Sequence, residues 1–343
     1  MRIGILTGGG DAPGLNAAIR AVARQCFALG DQPVGIRNGW AGLLGKGEVR
    51  EIAQTDVSGI LHLGGTILGT SRTNPLKNDA DMAQLTRNIA AFGLDALAVI
   101  GGDDTLSVAC RLNEMGIPVV GIPKTVDNDL CETDYCIGFD TAVGTVVDGL
   151  DRLHTTASAH HRVLVTEVMG RDTGWVAVIG GIAGGADFIL IPEVPVEVAR
   201  VCDHVQRRYA LGKEFSIIVV SEGVEMPDIA SKESVQEVDA FGHVRLDRRG
   251  VGDTLSRLIE HRTGLETRVT VLGHLQRGGS PSALDRSWAS QLGVAAVDML
   301  HDGTIGVLAA VHGQQIEPVP LSAIVGRTRR VDPALYKLAS VFY

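Results

Sequence analysis

Three short stretches of this 343-residue chain gather glycines, carboxylates and cations in a pattern suited to phosphate chemistry. The first is Thr7-Gly8-Gly9-Gly10-Asp11-Ala12-Pro13-Gly14-Leu15-Asn16. Successive glycine amides ahead of a helix start cradle a phosphate. The same residues also make an ordinary tight turn. The stretch is neither G-x-G-x-x-G nor a Walker A loop, so neither chemistry follows from it. The second is Gly101-Gly102-Asp103-Asp104-Thr105. Two adjacent carboxylates repel unless a cation joins them, and Mg2+ favours carboxylate together with phosphate oxygens. The bland alternative makes Asp104 or Thr105 a helix N-cap. The third is Pro123-Lys124-Thr125-Val126-Asp127-Asn128-Asp129. It offers a cation, a hydroxyl, a candidate general base and a metal contact, although Pro and Asn also suit a plain turn.

Each stretch follows an apolar run and precedes a helical pattern. Strands are expected at 2–7, 97–100, 119–122, 163–167, 188–191, 216–221 and 269–272. Helices are expected at 15–29, 105–115, 141–155, 196–211, 254–263 and 283–301. Apolar strands alternating with helices argue for parallel sheets covered on both faces, with ligands beyond the strands' carboxyl ends. The polar, aperiodic segment 225–249 is expected to be a surface excursion, and no repeat or low-complexity tract is present.

Composition narrows the function classes. Hydrophobic residues make up 45% and charged residues 21%, a globular profile. The chain carries 43 glycines, and the common glycine frequency would give about 24. The net charge of -9 speaks against a general nucleic-acid binder. A few local arginines still suit an anionic substrate. The five cysteines, Cys26, Cys110, Cys131, Cys136 and Cys202, form no C-x-x-C pair and are expected to be reduced. The opening MRIGILTGGG has no long apolar stretch or cleavage site, so no signal peptide is expected. No run of 18 apolar residues predicts a membrane span. Cytoplasm is the expected location.

Seven blocks taken together resemble the phosphofructokinase family along almost the whole chain. They are GGGDAPGLNAAIR, GGDDTL, PKTVDND, TDYCIGFDTAV, EVMGRDTG, Glu222 in VSEGV, and ETRVTVLGHLQRGGSP. The resemblance implies two Rossmann-like three-layer α/β/α domains, the phosphofructokinase fold. A donor and Mg2+ domain would comprise 1–140 plus about 277–325. A sugar-phosphate domain would comprise 141–276 plus about 326–343, with the site in the cleft between the two. The implied reaction moves a phosphoryl group to the 1-hydroxyl of fructose 6-phosphate, a step of glycolysis.

Roles follow position by position from the resemblance. Gly10, Gly102 and Arg72 would meet the phosphoryl donor. Asp103 would hold Mg2+, assisted by Asp129. Asp127 would be the base, and Thr125 would touch the acceptor or the transferring phosphate. Met169, Gly170 and Arg171 would line the sugar site, and Glu222 would bond its hydroxyls. His274 and Arg277 would bind the 6-phosphate. Arg162 and Arg268 would reach that phosphate from a neighbouring subunit, which makes a homodimer or homotetramer part of the site. In isolation Arg162 reads as a surface residue, Arg268 as a partner of Glu266, His274 as structural and Met169 as core.

The choice of donor rests on Asp104 and Lys124. In the family, ATP-using members usually carry glycine at the position of Asp104. Many carry glycine at that of Lys124, where pyrophosphate users and some ATP users have lysine, so Asp104 carries more of the inference. An aspartate at 104 would crowd the α-phosphate of a nucleotide. Two unit charges about 4 Å apart cost roughly 4 kcal/mol at an effective dielectric of about 20, and about 1.4 kcal/mol is already tenfold. Pyrophosphate has no α-phosphate, and the Lys124 ammonium would steady charge in transfer. Arg20 and Arg24 resemble part of an effector cluster, but Gln54, His154 and Leu211 stand where relatives have basic residues, so little effector control is expected. The alternatives are an ATP-dependent 6-phosphofructokinase, a sedoheptulose 7-phosphate kinase and a non-catalytic phosphosugar sensor. A lipid or NAD kinase shares a GGD-like loop but not PKTVDND or GHLQRGG.

Overall fold

The computed structural model describes residues 1–195, 197–226, 241 and 250–343. In chain order the first elements are β1 (Arg2–Thr7), α1 (Leu15–Leu29), β2 (Gln32–Ile36), β3 (Val49–Glu51), α2 (Asp79–Ala91), β4 (Ala96–Gly101), α3 (Asp103–Glu114) and β5 (Val119–Pro123). Next come α4 (Phe139–His160), β6 (Val163–Val168), α5 (Trp175–Ala183), β7 (Phe188–Leu190), α6 (Val198–Ala210), β8 (Ser216–Ser221), α7 (Val251–Thr263) and β9 (Thr267–Val271). The last are α8 (Ala283–His301), β10 (Val307–His312), β11 (Gln315–Pro320), α9 (Leu321–Ile324) and α10 (Pro333–Ala339). They divide into two compact units. One holds Met1–Thr141 and Arg277–Thr328; the other holds the described part of 142–276, Phe241 excepted, with Arg329–Tyr343.

The first unit is built on a seven-stranded sheet of order β11-β10-β5-β4-β1-β2-β3. Its five inner strands are parallel, and β3 and β11 close the edges antiparallel. Period-two alternation serves both faces. In β4, Ala96, Ala98 and Ile100 join the core under α1 and α8, while Leu97 and Val99 join the core under α2 and α3. Gly293 of α8 is a close-approach position, since a Cβ there would crowd Ala18 and Ala21 of α1. The chain passes from β1 to β2 on one side, then returns to place β4 on the other. That reversal is a topological switch point, and the adjacent carboxyl ends of β1, β4 and β5 lie there.

The second unit is built on a four-stranded parallel sheet of order β7-β8-β6-β9. Val163, Val165, Ile218 and Val220 pack against α6 and α7 on one face. On the other, Gly181 of α5 lets the helix close onto Ile189. Both units are therefore three-layer α/β/α.

Several expected boundaries shift. Helix α3 starts two residues early because Gly102, in extended backbone, is its N-cap; neither Asp104 nor Thr105 takes that place. Helix α4 runs from Phe139 to His160, longer than expected at both ends. Helix α5 gives no periodic signal because its sequence WVAVIGGIA is apolar throughout. The expected excursion at 225–249 lies outside the described residues, apart from Glu225, Met226 and Phe241.

Candidate active site

In the first unit the three strand-end turns lie side by side. Thr7 pairs with Ile100, and Gly101 with Pro123. The Gly8 N–H donates to Ile100 at 3.0 Å and the Lys124 N–H to Gly101 at 3.1 Å, extending each pairing beyond the strands. Thr105, 2% exposed, is the wedge that locks the first two turns, since a Cβ at Gly8 or Gly101 would overlap its side chain.

Two cations hold the carbonyls of the first turn. Lys124, 3% exposed, donates from Nζ to the Gly8 oxygen at 2.9 Å and to the Gly10 oxygen at 2.6 Å. Arg277 donates to the Asp11 oxygen at 3.2 Å. Burial pushes the Lys124 ammonium down to about 7; neighbouring Arg277 adds to this, and Asp11 and Asp129 oppose it. In a planar trans peptide the N–H points opposite to the C=O. Turning the Gly10 carbonyl onto the Lys124 ammonium therefore turns the Asp11 N–H the other way, whereas Ala12 is fully buried. An outward amide suits an anion-binding turn. Thr70 supports the turn by donating to the Gly9 oxygen at 2.6 Å, and the Gly9 N–H donates to Ser71 at 3.1 Å. Arg72, exposed, follows directly on this support.

The carboxylates sit on the second and third turns. Asp103 and Asp104 occupy the first turn of α3, where the helix dipole favours negative charge. Asp103 Oδ1 accepts from the Gly326 N–H at 2.9 Å. In the third turn the Thr125 hydroxyl accepts from the Asp127 N–H at 3.1 Å. Asn128 adopts left-handed backbone with φ of 50°, a conformation asparagine tolerates. Its buried side chain accepts from Cys136 N at 2.9 Å and donates to the Asp134 oxygen at 3.3 Å, closing the loop and leaving Asp127 and Asp129 half-buried on either side of it. Among the described residues no group of three or more His, Cys, Asp or Glu could hold a metal by itself. Mg2+ does not need such a cage, because it binds through one or two carboxylates with substrate phosphates and water. Asp103 with Asp129 fits that pattern.

The second unit repeats the logic with β8, β6 and β9. The Glu222 N–H donates to the Val168 oxygen at 2.9 Å, which sets Glu222 beside Met169, Gly170 and Arg171. Gly170 has φ of 136°, and its carbonyl accepts from Ser221 Oγ at 2.6 Å and from the Gly223 N–H at 3.0 Å. A Cβ at Gly223 would strike the Arg171 carbonyl, so the two loops interlock only with glycine there. His274 lies in the short 3-10 turn Gly273–Arg277 after β9. Gln276, fully buried, accepts from the Met169 N–H at 3.3 Å and donates to the Gly273 oxygen at 3.1 Å.

Two candidates lie elsewhere. Arg162 precedes β6 and Arg268 is the second residue of β9, so both stand at the amino ends of parallel strands, opposite to Met169, Glu222 and His274. Both are ion-paired with Glu266, Arg162 at 2.9 Å. The Glu266 partner weighed for Arg268 is thus present. Within one chain the two arginines are not gathered with the other sugar-site residues.

Sequence reasoning overlooked Thr70, Ser221, Gln276 and Asp285. Asp285 is fully buried; its carboxylate accepts from Tyr135 Oη and Gly138 N at 2.6 Å each, and from Thr141 N at 2.9 Å. Burial raises its pKa, with those hydrogen bonds pulling the other way. Gln276 was within reach, since it lies inside GHLQRGG; the other three have only long-range partners.

Comparison with known proteins agrees with this fold. A family model described as Phosphofructokinase matches residues 2–300. A Streptomyces coelicolor relative named pyrophosphate–fructose 6-phosphate 1-phosphotransferase is 51% identical, over 100% of both chains. A Chloroflexus aggregans relative named ATP-dependent 6-phosphofructokinase is 47% identical, over 97% of this chain and 93% of its own. The solved T-state phosphofructokinase of Pichia pastoris superposes with a TM-score of 0.82 at 33% identity, covering 94% of this chain; this chain spans 37% of that longer one.

Proposed function

The chain belongs to the phosphofructokinase family, and from that premise we propose that it transfers a phosphoryl group reversibly from pyrophosphate to the 1-hydroxyl of D-fructose 6-phosphate. The observation that carries the donor assignment is Asp104 in the first turn of α3. It adds a carboxylate where a nucleotide would bring its α-phosphate, and the charge repulsion disfavours ATP by more than tenfold. The name of the Streptomyces coelicolor relative supports the same donor.

In this reading the Asp11 amide of the first turn, with Arg72 and Gly102, receives pyrophosphate. Asp127 accepts the proton of the 1-hydroxyl as that oxygen attacks one phosphorus of pyrophosphate, the bridging P–O bond breaks and inorganic phosphate leaves. Met169, Gly170, Arg171 and Glu222 orient the sugar. His274 and Arg277 hold the 6-phosphate, with Arg162 and Arg268 supplied by a neighbouring subunit of a homo-oligomer. Asp103 and Asp129 would hold Mg2+, which neutralises charge on the phosphate oxygens when bound. The reaction is expected to run in the cytoplasm.

The test is initial rates on fructose 6-phosphate with pyrophosphate and with ATP, side by side. Pyrophosphate should be preferred at least tenfold, and Asp104→Gly should narrow that margin. A clear ATP preference in the unmodified protein would reject the donor assignment. The Chloroflexus aggregans relative's name keeps the ATP-dependent reading as the alternative that this assay separates.

A further inference from the structure

Arg277 has a second task. Its guanidinium donates to the Asp11 carbonyl and lies so close to Gly10 that a Cβ there would overlap it. The backbone of Gly10 does not itself demand glycine, because it is absent from the glycines of positive φ. What excludes a side chain at position 10 is the arginine. A guanidinium has five N–H donors, and one given to Asp11 leaves a fork for a phosphate.

We propose that Gly10 and Arg277 form a coupling element: the arginine that holds the acceptor's phosphate is positioned by the donor turn, so a change at Gly10 is felt in acceptor affinity. The proposal rests on the assignment of Arg277 to the 6-phosphate. It makes Gly10 a positioning residue for the acceptor, in addition to any contact with the donor.

Gly10→Ala is a mild probe, since the displaced atoms are the far end of a flexible side chain. Arg111→Ala is its control, because it removes an exposed arginine of the same unit that pairs with Glu114 and touches none of the turns. In steady-state kinetics, Gly10→Ala should raise KM for fructose 6-phosphate at least fivefold, and Arg111→Ala should leave it within twofold. In the Gly10→Ala, Arg277→Lys double variant, acceptor KM should be no higher than in Arg277→Lys alone, since coupled residues are non-additive. Arg277→Lys should also raise KM for pyrophosphate. Additive effects, an unchanged acceptor KM in Gly10→Ala, or an unchanged pyrophosphate KM in Arg277→Lys would overturn the coupling while the functional reading stood. Absence of fructose 6-phosphate turnover by the unmodified protein with either donor would instead overturn the reading, and the coupling with it. If Gly10→Ala does not fold, the pyrophosphate KM of Arg277→Lys decides alone.

Discussion

Asp127 and Lys124 show how far a side chain's type predicts its use. Spacing put two carboxylates on the third turn, and only the family resemblance singled out Asp127 as the base; the Thr125 hydroxyl accepts from its backbone N–H. Replacing it with Ser should lower kcat by about 100-fold or more with the melting temperature nearly unchanged; intact turnover in that variant would remove Asp127 from the chemistry. Lys124 was legible as a cation but not as a clamp, because its carbonyl partners are 116 and 114 residues away. Its burial also sets a pH dependence. The unfolded lysine keeps its proton to about pH 10.4. The folded one loses it near 7. Between those limits the unfolded state binds more protons, so stability rises with pH by up to about 1.4 kcal/mol per unit, and the dependence flattens below 7. Denaturant titrations at pH 7, 8 and 9 should show the native protein gaining on Lys124→Met as pH rises. A constant difference would mean that the lysine stays charged throughout.

Strands and helices were the most readable level, because apolar period-two runs and glycine stops are local signals. Helices α1 and α8 and strand β8 match expectation residue for residue, whereas α5 is hidden by its uniform apolarity. What joins elements is less visible. Asp285 sits in the first turn of α8 yet accepts hydrogen bonds from the residues that open α4. Asp285→Ala would leave the buried Gly138 amide, the half-buried Thr141 amide and hydroxyl, and the Tyr135 hydroxyl without their acceptor, at about 1–3 kcal/mol for each buried group. A loss of about 3 kcal/mol or more should lower the Tm of the unit that holds Asp285 by about 6–12 °C, measurable by calorimetry. A shift under 2 °C would show that water replaces the carboxylate.

The whole molecule raises the question of how many chains make one site. Arg162 and Arg268 stand at the amino edge of their sheet, away from the other acceptor residues of their own chain. If a neighbour supplies them, two inactive variants should complement each other. Arg162→Ala mixed with Asp127→Ser under subunit exchange should recover about a quarter of native activity in a dimer, since half the dimers are hybrids with one intact site of two. No recovery in verified hybrids would assign Arg162 to its own chain, and the same mixture made with Arg268→Ala tests Arg268. By itself the sequence determined what depends on near neighbours: the glycine turns, the apolar strands, the acidic balance and the resemblance carried by seven blocks. Only the tertiary structure decided which turns are adjacent and which cations face them. The physical reason is that strand order, not chain order, sets proximity: β1 pairs with β4 across about ninety residues, and no local pattern records that pairing or the long-range hydrogen bonds built on it.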